Sequence, residues 1–375
     1  MDFDDIKPYT DEELPAVLSK ILSNKWILEG IRNLFFPKLP KVLIKPIEGI
    51  IFRILKLKTC SIKTTDQFRK RISLDIVVKN LVRDTTAGIS YTGLENLNLN
   101  KKYIFISNHR DIVLDPALMI QTLYSYGFNF PQIAFGDNLM INEVITDIIR
   151  SNNGIIVKRN LPMRDQIKES LKLSTYMCKV IDEGSSIWLA QREGRAKDGL
   201  DDTNPAVLKM LYLSKRKEMK YSDFLDRYQI VPVSISYEYD PLDRAKSWSI
   251  YRKRIYGFHL KRKYEDLIHM ASGLKGYKGR VHLAFSEPIP GKFKNENDVA
   301  AFLDEKIHKS YKLWKTNYMA YDILNKSKKY DSKYTNSDLD LFLKRFKRLS
   351  PDVKDIVFES YANPVNSLEK YQTEK

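Results

Sequence analysis

Cysteine is nearly absent: the 375 residues include two, Cys60 and Cys178. Neither has metal-like spacing and both sit in helix-like stretches, so neither a disulfide framework nor a zinc site organises the chain, and a reducing compartment is expected. Long apolar runs are missing as well. No stretch of about 18 or more uninterrupted apolar residues occurs, which argues against a spanning helix. The start of the chain lacks the basic character of a signal peptide and holds Asp2, Asp4, Asp5, Asp11, Glu12 and Glu13 instead, so export is not expected. Acidic residues are in deficit overall. The balance of 63 Lys and Arg against 47 Asp and Glu leaves +16. That excess favours an anionic partner, whether phospholipid surface, phosphorylated substrate or nucleic acid, and charge alone does not choose among them.

What is present is a large apolar fraction, 43%, enough for one big domain with helical additions. Beyond residue 85, strand-like runs occur at Tyr103–Ser107, Gln132–Phe135, Gly154–Val157, Ser186–Ala190, Ile230–Tyr237 and Arg280–Phe285. Helix-like stretches separate them near Pro116–Tyr126, Glu143–Ser151, Met163–Asp182, Asn204–Lys215 and Asp298–Leu313. This alternation predicts an α/β fold with a central, mostly parallel sheet flanked by helices. Pro232, inside the Ile230–Tyr237 run, suggests an edge strand or a bulge. The pattern divides the chain into an N-terminal helical region at 1–85, a catalytic domain at 86–300 and a C-terminal helical extension at 301–375.

The N-terminal region contains a basic amphipathic segment, Trp26 to Lys58. Apolar residues such as Ile27, Phe36, Ile50, Ile54 and Leu57 alternate there with Lys25, Arg32, Lys38, Lys41, Lys45, Arg53, Lys56 and Lys58. Pro37, Pro40 and Pro46 are expected to break it into short helices. Such helices suit either an anionic lipid interface or the protein's own core.

Five histidines are present, and one stands apart. His109 follows the apolar run Tyr103–Ile106 and precedes Arg110, Asp111 and Asp115, so it sits just past a buried strand with carboxylates at a helix start. An imidazole to take a proton and a carboxylate to fix its tautomer form a general base; a loop-capping histidine is the alternative. Two further segments end strands in cations. Gly154 to Val157 leads into Lys158 and Arg159, and Ile187 to Ala190 leads into Gln191-Arg192-Glu193-Gly194-Arg195-Ala196-Lys197-Asp198-Gly199. Ligands of α/β sheets lie at the carboxyl ends of strands, so these cations suit a phosphate, or else they are solvated loop charges. His269 and His308 fall in probable helices, His282 in a strand and His259 in a basic loop, and none is assigned a role.

In order, His109–Asp115, Gly154-x-x-Val157-Lys158-Arg159, Glu193-Gly194-Arg195-Ala196-Lys197 and Val231-Pro232-Val233-x-Ile235-x-Tyr237-Glu238 resemble the glycerol-3-phosphate and lysophosphatidate acyltransferase superfamily. The nearest likeness is to a bacterial branch described as 1-acylglycerol-3-phosphate acyltransferase-like. Asp4–Tyr9, Glu13–Leu18, Gly136–Leu139 and Gly279–Ile289 fit it too. Two departures are visible. The superfamily's aspartate lies five positions after the histidine, where this chain has Leu114; Asp115 is taken as the partner and Asp111 as the runner-up. An Arg-Ser-Arg ending is replaced by Arg195-Ala196-Lys197.

The resemblance implies transfer of a fatty acyl group from a thioester, on acyl carrier protein or coenzyme A, to a hydroxyl of lysophosphatidate or glycerol 3-phosphate. His109 would be the base and Asp115 its partner. Glu193, Gly194, Arg195, Lys197, Lys158 and Arg159 would form the acceptor-phosphate site. No metal or other cofactor is implied. The resemblance also implies a peripheral or monotopic protein on the cytoplasmic face of a membrane, whose partners are anionic phospholipid, a lipid substrate and acyl carrier protein, and not nucleic acid. Other readings are the same fold acting on a different polar-lipid acceptor, such as an acylated amino acid, or a non-catalytic membrane-binding homologue.

Overall fold

The computed structural model describes residues 1–36, 39–159, 161–258 and 265–373. His259, Pro37 and Lys38 therefore lie outside the described residues. Among the described residues there are seven strands: β1 (Ile89–Thr92), β2 (Ile104–Ser107), β3 (Gln132–Gly136), β4 (Gly154–Val157), β5 (Ile187–Ala190), β6 (Ile230–Tyr237) and β7 (Val281–Phe285). The pairings β1–β7, β2–β5, β2–β6 and β3–β4 are parallel, and β6–β7 is antiparallel. With the helices between them, this is the expected mostly parallel α/β fold. The chain groups into two compact units, each of discontinuous segments: 1–77 with 130–169, and 78–129 with 170–375.

In the larger unit the strands lie in the order β1-β7-β6-β2-β5. Every residue of β2, β6 and β7 is buried, which is why these strands read as apolar runs rather than alternating ones. The register pairs Ser107 with Ala190, so the segments beginning at Asn108 and Gln191 leave the sheet side by side. β1 was not anticipated: Ile-Ser-Tyr-Thr is short, largely exposed and carries little apolar signal. Pro232 corrects another expectation, because β6 is interior, with β2 on one side and β7 on the other. The β7 ladder begins only at Val233, opposite Phe285, and the Pro232 carbonyl accepts from the Ser286 N–H on that side. The donor that proline lacks thus faces the end of the neighbouring strand, where no ladder bond is lost.

The helices Leu114–Tyr126, Pro205–Tyr212 and Glu296–Ser310 fall close to their predicted places. Glu265–Lys275 places His269 in a helix, as expected, whereas Tyr221–Tyr228 and Asp243–Tyr256 were not expected as helices. Three C-terminal helices, Lys315–Asn325, Asn336–Arg345 and Pro351–Thr373, enclose an aromatic cluster of Phe342, Phe346, Phe358 and Tyr361. They share their compact unit with the sheet, and the last of them braces a loop after β5. Gly199 has φ +81°, and a Cβ there would lie 2.1 Å from the Ser360 carbonyl oxygen. Only glycine fits so close an approach. Beside it, Asn363 donates from Nδ2 to the Asp198 carbonyl at 2.7 Å.

The smaller unit holds the helices Leu14–Ser23, Lys25–Phe35 and Ile44–Thr59, a π-helical stretch that starts at Arg69, the helix Glu143–Ser151 and the β3–β4 pair. Its N-terminal block is anchored by polar contacts. Tyr9 donates to Asp147 at 2.8 Å, Arg150 stacks on the Tyr9 ring at 4.1 Å, and the Ile156 N–H donates to the Ile6 carbonyl. Pro46 does not break the Ile44–Thr59 helix. It lies in the first turn, where its missing N–H would have had no intrahelical acceptor. Among the described side chains from Lys25 to Lys58 none is fully buried, and Trp26, Val42, Ile50, Ile54 and Leu57 are exposed. Among the described residues no helix is long and apolar enough to cross a membrane.

Candidate active site

His109 lies two residues past the carboxyl end of β2, on a loop whose neighbours hold it by the backbone. The Gln191 N–H donates to the Ser107 carbonyl and the Ala196 N–H donates to the His109 carbonyl, both at 2.8 Å. The loop after β5 is therefore stitched to the loop after β2. Asn108, fully buried, braces a third element: its Oδ1 accepts from the Ile235 N–H at 2.7 Å and its Nδ2 donates to the Ile235 carbonyl at 3.0 Å. Asn108 and Arg110 also donate to Asp201, whose carboxylate is buried with them. A buried cation bonded to a buried carboxylate resists being pulled apart, because either left alone would be a costly unpaired charge.

His109 and Asp115 come together. His109 Nδ1 lies 2.7 Å from Asp115 Oδ2, with Asp115 wholly buried and 15% of the histidine side chain accessible. The same Oδ2 accepts the backbone N–H groups of Arg110, at 2.6 Å, and Asp111, at 2.9 Å, while Oδ1 accepts the Tyr237 hydroxyl at 2.7 Å. Burial alone would raise the Asp115 pKa, but the His109 bond and charge, the Asp111 N–H and Tyr237 hold it below the ordinary carboxylate value. An ionised carboxylate only accepts, so Nδ1 carries the proton and Nε2 is left as the basic nitrogen. Asp115 stands in the first turn of the Leu114–Tyr126 helix, six residues after His109.

Asp111, the runner-up, is placed differently. Its Oδ1 caps the Val113 and Leu114 N–H groups, each at 2.9 Å, as a helix N-terminus requires. Burial and the neighbouring Asp115 charge raise its pKa. Its Oδ2 is buried without a hydrogen bond among the described residues, against the backbone of Gly273.

The cations divide. Arg195, on the loop stitched to His109, is nearly buried, and its Nη2 reaches His269 Nδ1 at 3.2 Å and Asp266 Oδ1 at 3.6 Å. Glu193 and Gly194 are exposed on the same loop, Gly194 with φ +73°, and Lys197 is half-buried. Lys158 and Arg159 belong to the smaller unit. The Lys158 ammonium is bound by Asp5 at 2.5 Å and Glu169 at 3.2 Å, so two carboxylates already balance its charge. Arg159 donates its N–H to Asp137 at 3.2 Å, and its guanidinium packs over Gly136, which has no room for a Cβ.

Sequence reasoning missed Tyr237, Asn108 and His269. Nothing in a buried strand distinguishes a tyrosine that bonds a carboxylate from one that fills a core. Tyr237→Phe would leave Asp115 Oδ1 buried without that donor. The variant is expected to lose about 1–3 kcal/mol of stability. It should also raise the Asp115 pKa toward the ordinary value. A depressed carboxylate stabilises above its unfolded pKa and loses that contribution as pH falls through the folded value, so the loss in Tyr237→Phe should begin at a higher pH than in wild type. Chemical denaturation between neutral pH and pH 3 checks both; equal stability and equal acid midpoints would count against the Tyr237 bond.

Residues 88–236 match the family model described as Acyltransferase. No curated protein matches the chain. Among solved structures it is similar to the crystal structure of the 1-acyl-sn-glycerophosphate (LPA) acyltransferase, PlsC, from Thermotoga maritima, at 15% identity and a TM-score of 0.40, over 79% of this chain and 94% of that one. That likeness is too distant to transfer residue roles. The family match spans His109, Asp115 and the loop bearing Arg195, and it ends at residue 236, one short of Tyr237. The match covers well under half of the chain, and the model it fits agrees with the superfamily that the sequence blocks resemble.

Proposed function

We propose that this acyltransferase moves a fatty acyl group from a thioester, on acyl carrier protein or coenzyme A, to a hydroxyl of lysophosphatidate or glycerol 3-phosphate. The observation that carries the reading is the His109–Asp115 pair, with Arg195 on the loop bonded to the His109 backbone. His109 Nε2 takes the acceptor's hydroxyl proton as its oxygen attacks the thioester carbonyl. The tetrahedral intermediate collapses with cleavage of the C–S bond, and the imidazolium returns the proton to the departing thiolate. Asp115 supports the imidazolium while it exists, at an effect of roughly 10²–10⁴-fold for general-base help. The Arg195 guanidinium meets the acceptor phosphate as a two-pronged donor, and Lys197 adds charge. Lys158 and Arg159 are weaker candidates for that role, since carboxylates hold the first and the second packs on Gly136. No metal or cofactor enters these steps.

The same reading makes the protein peripheral or monotopic on the cytoplasmic face of a membrane. Its support is the 25–58 segment, where Ile50, Ile54 and Leu57 lie at helical spacing on one exposed face beside exposed Arg53, Lys56 and Lys58. Among the described side chains there, none is fully buried, which favours the lipid interface over docking on the protein's own core.

A mass-spectrometric assay should offer both thioesters against glycerol 3-phosphate and lysophosphatidate. Product is expected from wild type and none above background from His109→Ala. Asp115→Asn should lose about two orders of magnitude in rate and Asp111→Asn less than about tenfold. Arg195→Ala should chiefly raise the acceptor KM. Full activity in His109→Ala would sink the mechanism, and an unchanged acceptor KM in Arg195→Ala would move the phosphate site or favour an acceptor without phosphate. For the membrane, sedimentation with phosphatidylglycerol vesicles should fall sharply when Ile50, Ile54 and Leu57 are changed together to serine; unaltered sedimentation would contradict the assigned surface.

A further inference from the structure

The Glu265–Lys275 helix has no counterpart in the motifs read from the sequence, yet it touches the site at three places on one face. Asp266, His269 and Gly273 follow helical spacing, i, i+3 and i+7. A Cβ on Gly273 would stand 2.3 Å from Asp111 Oδ2, so the bare backbone of the helix rests on the loop that carries His109. One turn earlier His269 meets Arg195, and Asp266 meets the same guanidinium nitrogen.

We propose that His269 is the positioning residue for Arg195, that its helix is a wall of the acceptor site, and that Asp266 is the resident anion an acceptor phosphate displaces. This rests on the acceptor-phosphate reading of Arg195 and adds to it the group that orients the guanidinium and the group that competes for it.

A guanidinium only donates, so the 3.2 Å contact requires His269 Nδ1 to accept, which fixes a neutral imidazole with its proton on Nε2. Burial first, and then the Arg195 charge, lower the His269 pKa, in agreement with that form. The arginine is only half used. Its side chain is 10% exposed, and Nη1 is buried with no hydrogen bond among the described residues. Asp266, at 3.6 Å, balances charge but is too far for a hydrogen bond. The geometry therefore holds a cation in place, gives it a weak carboxylate contact and leaves one prong for an oxyanion. A phosphate would gain the unpaired Nη1 and a charge-assisted bond that Asp266 does not make. The His269 Nε2–H supplies a further donor on the same wall.

The two helix neighbours have opposite predicted effects, which separates positioning from structural damage. With full-length protein and its best thioester, His269→Ala should raise the acceptor KM on the order of tenfold and leave kcat within about threefold. His269→Asn, whose Oδ1 can accept from Arg195, should restore most of that loss. Asp266→Asn should lower the acceptor KM and tighten binding of inorganic phosphate and glycerol 3-phosphate measured by calorimetry. In an Arg195→Ala background, His269→Ala should add little. Weakening by both His269→Ala and Asp266→Asn, or full additivity with Arg195→Ala, would overturn the proposal. If Arg195→Ala weakens phosphate binding while His269→Ala does not, this inference alone fails. If Arg195→Ala changes neither KM nor phosphate binding, the acceptor-phosphate reading fails with it.

Discussion

The bond between His109 and Asp115 organises the larger unit's chemistry. A buried carboxylate is costly unless its oxygens are satisfied, and Asp115 is satisfied by the histidine, two backbone N–H groups and the Tyr237 hydroxyl. Each donor comes from a segment that must then be in its right place. The loop after β2 is turned by the two N–H groups, β6 is tied through Tyr237, and the imidazole is left with one orientation and one tautomer. In the proposed reaction the same carboxylate would serve fold and chemistry together, since a base working at a fixed distance needs its ring held before substrate arrives.

Around that bond the loops are fastened in layers. Ala196 ties the Arg195 loop to the His109 backbone, Asp201 collects Asn108 and Arg110, and the last helix closes on Gly199. The C-terminal helices therefore do more than extend the chain. Asp243, at the start of the Asp243–Tyr256 helix, receives Arg345 at 2.7 Å and the Tyr361 hydroxyl at 3.0 Å, which links that helix to the C-terminal cluster. The helix that follows it in the chain carries His269. Loops held by distant parts of one compact unit, above the buried strands β2 and β6, give the candidate site a rigid frame.

Strand positions and the His109 block were legible because buried parallel strands leave uninterrupted apolar runs and because a histidine between two such elements is uncommon. Sequence alone did not separate Asp115 from Asp111, since both lie within one turn of a helix start; the capping bonds of Asp111 and the His109 bond of Asp115 are three-dimensional facts. Pro232 misled because proline's usual exclusion from interior strands does not hold where the adjoining ladder ends. Lys158 read as a free cation because Asp5 lies far away in sequence. His269 was placed in a helix but given no role, because its contact with Arg195 joins residues far apart in sequence. The grouping of 130–169 with 1–77 was equally hidden, because compactness built from discontinuous segments has no compositional boundary.

The most direct measurement is the nitrogen NMR spectrum of the imidazole of His109 in protein labelled at histidine, assigned by comparison with His109→Gln. The neutral ring should carry its proton on Nδ1 and leave Nε2 bare, and this preference should be lost in Asp115→Asn. A His109 ring that carries its proton on Nε2 in the wild-type protein would contradict the account, because the nitrogen assigned to take the acceptor's proton would already hold one.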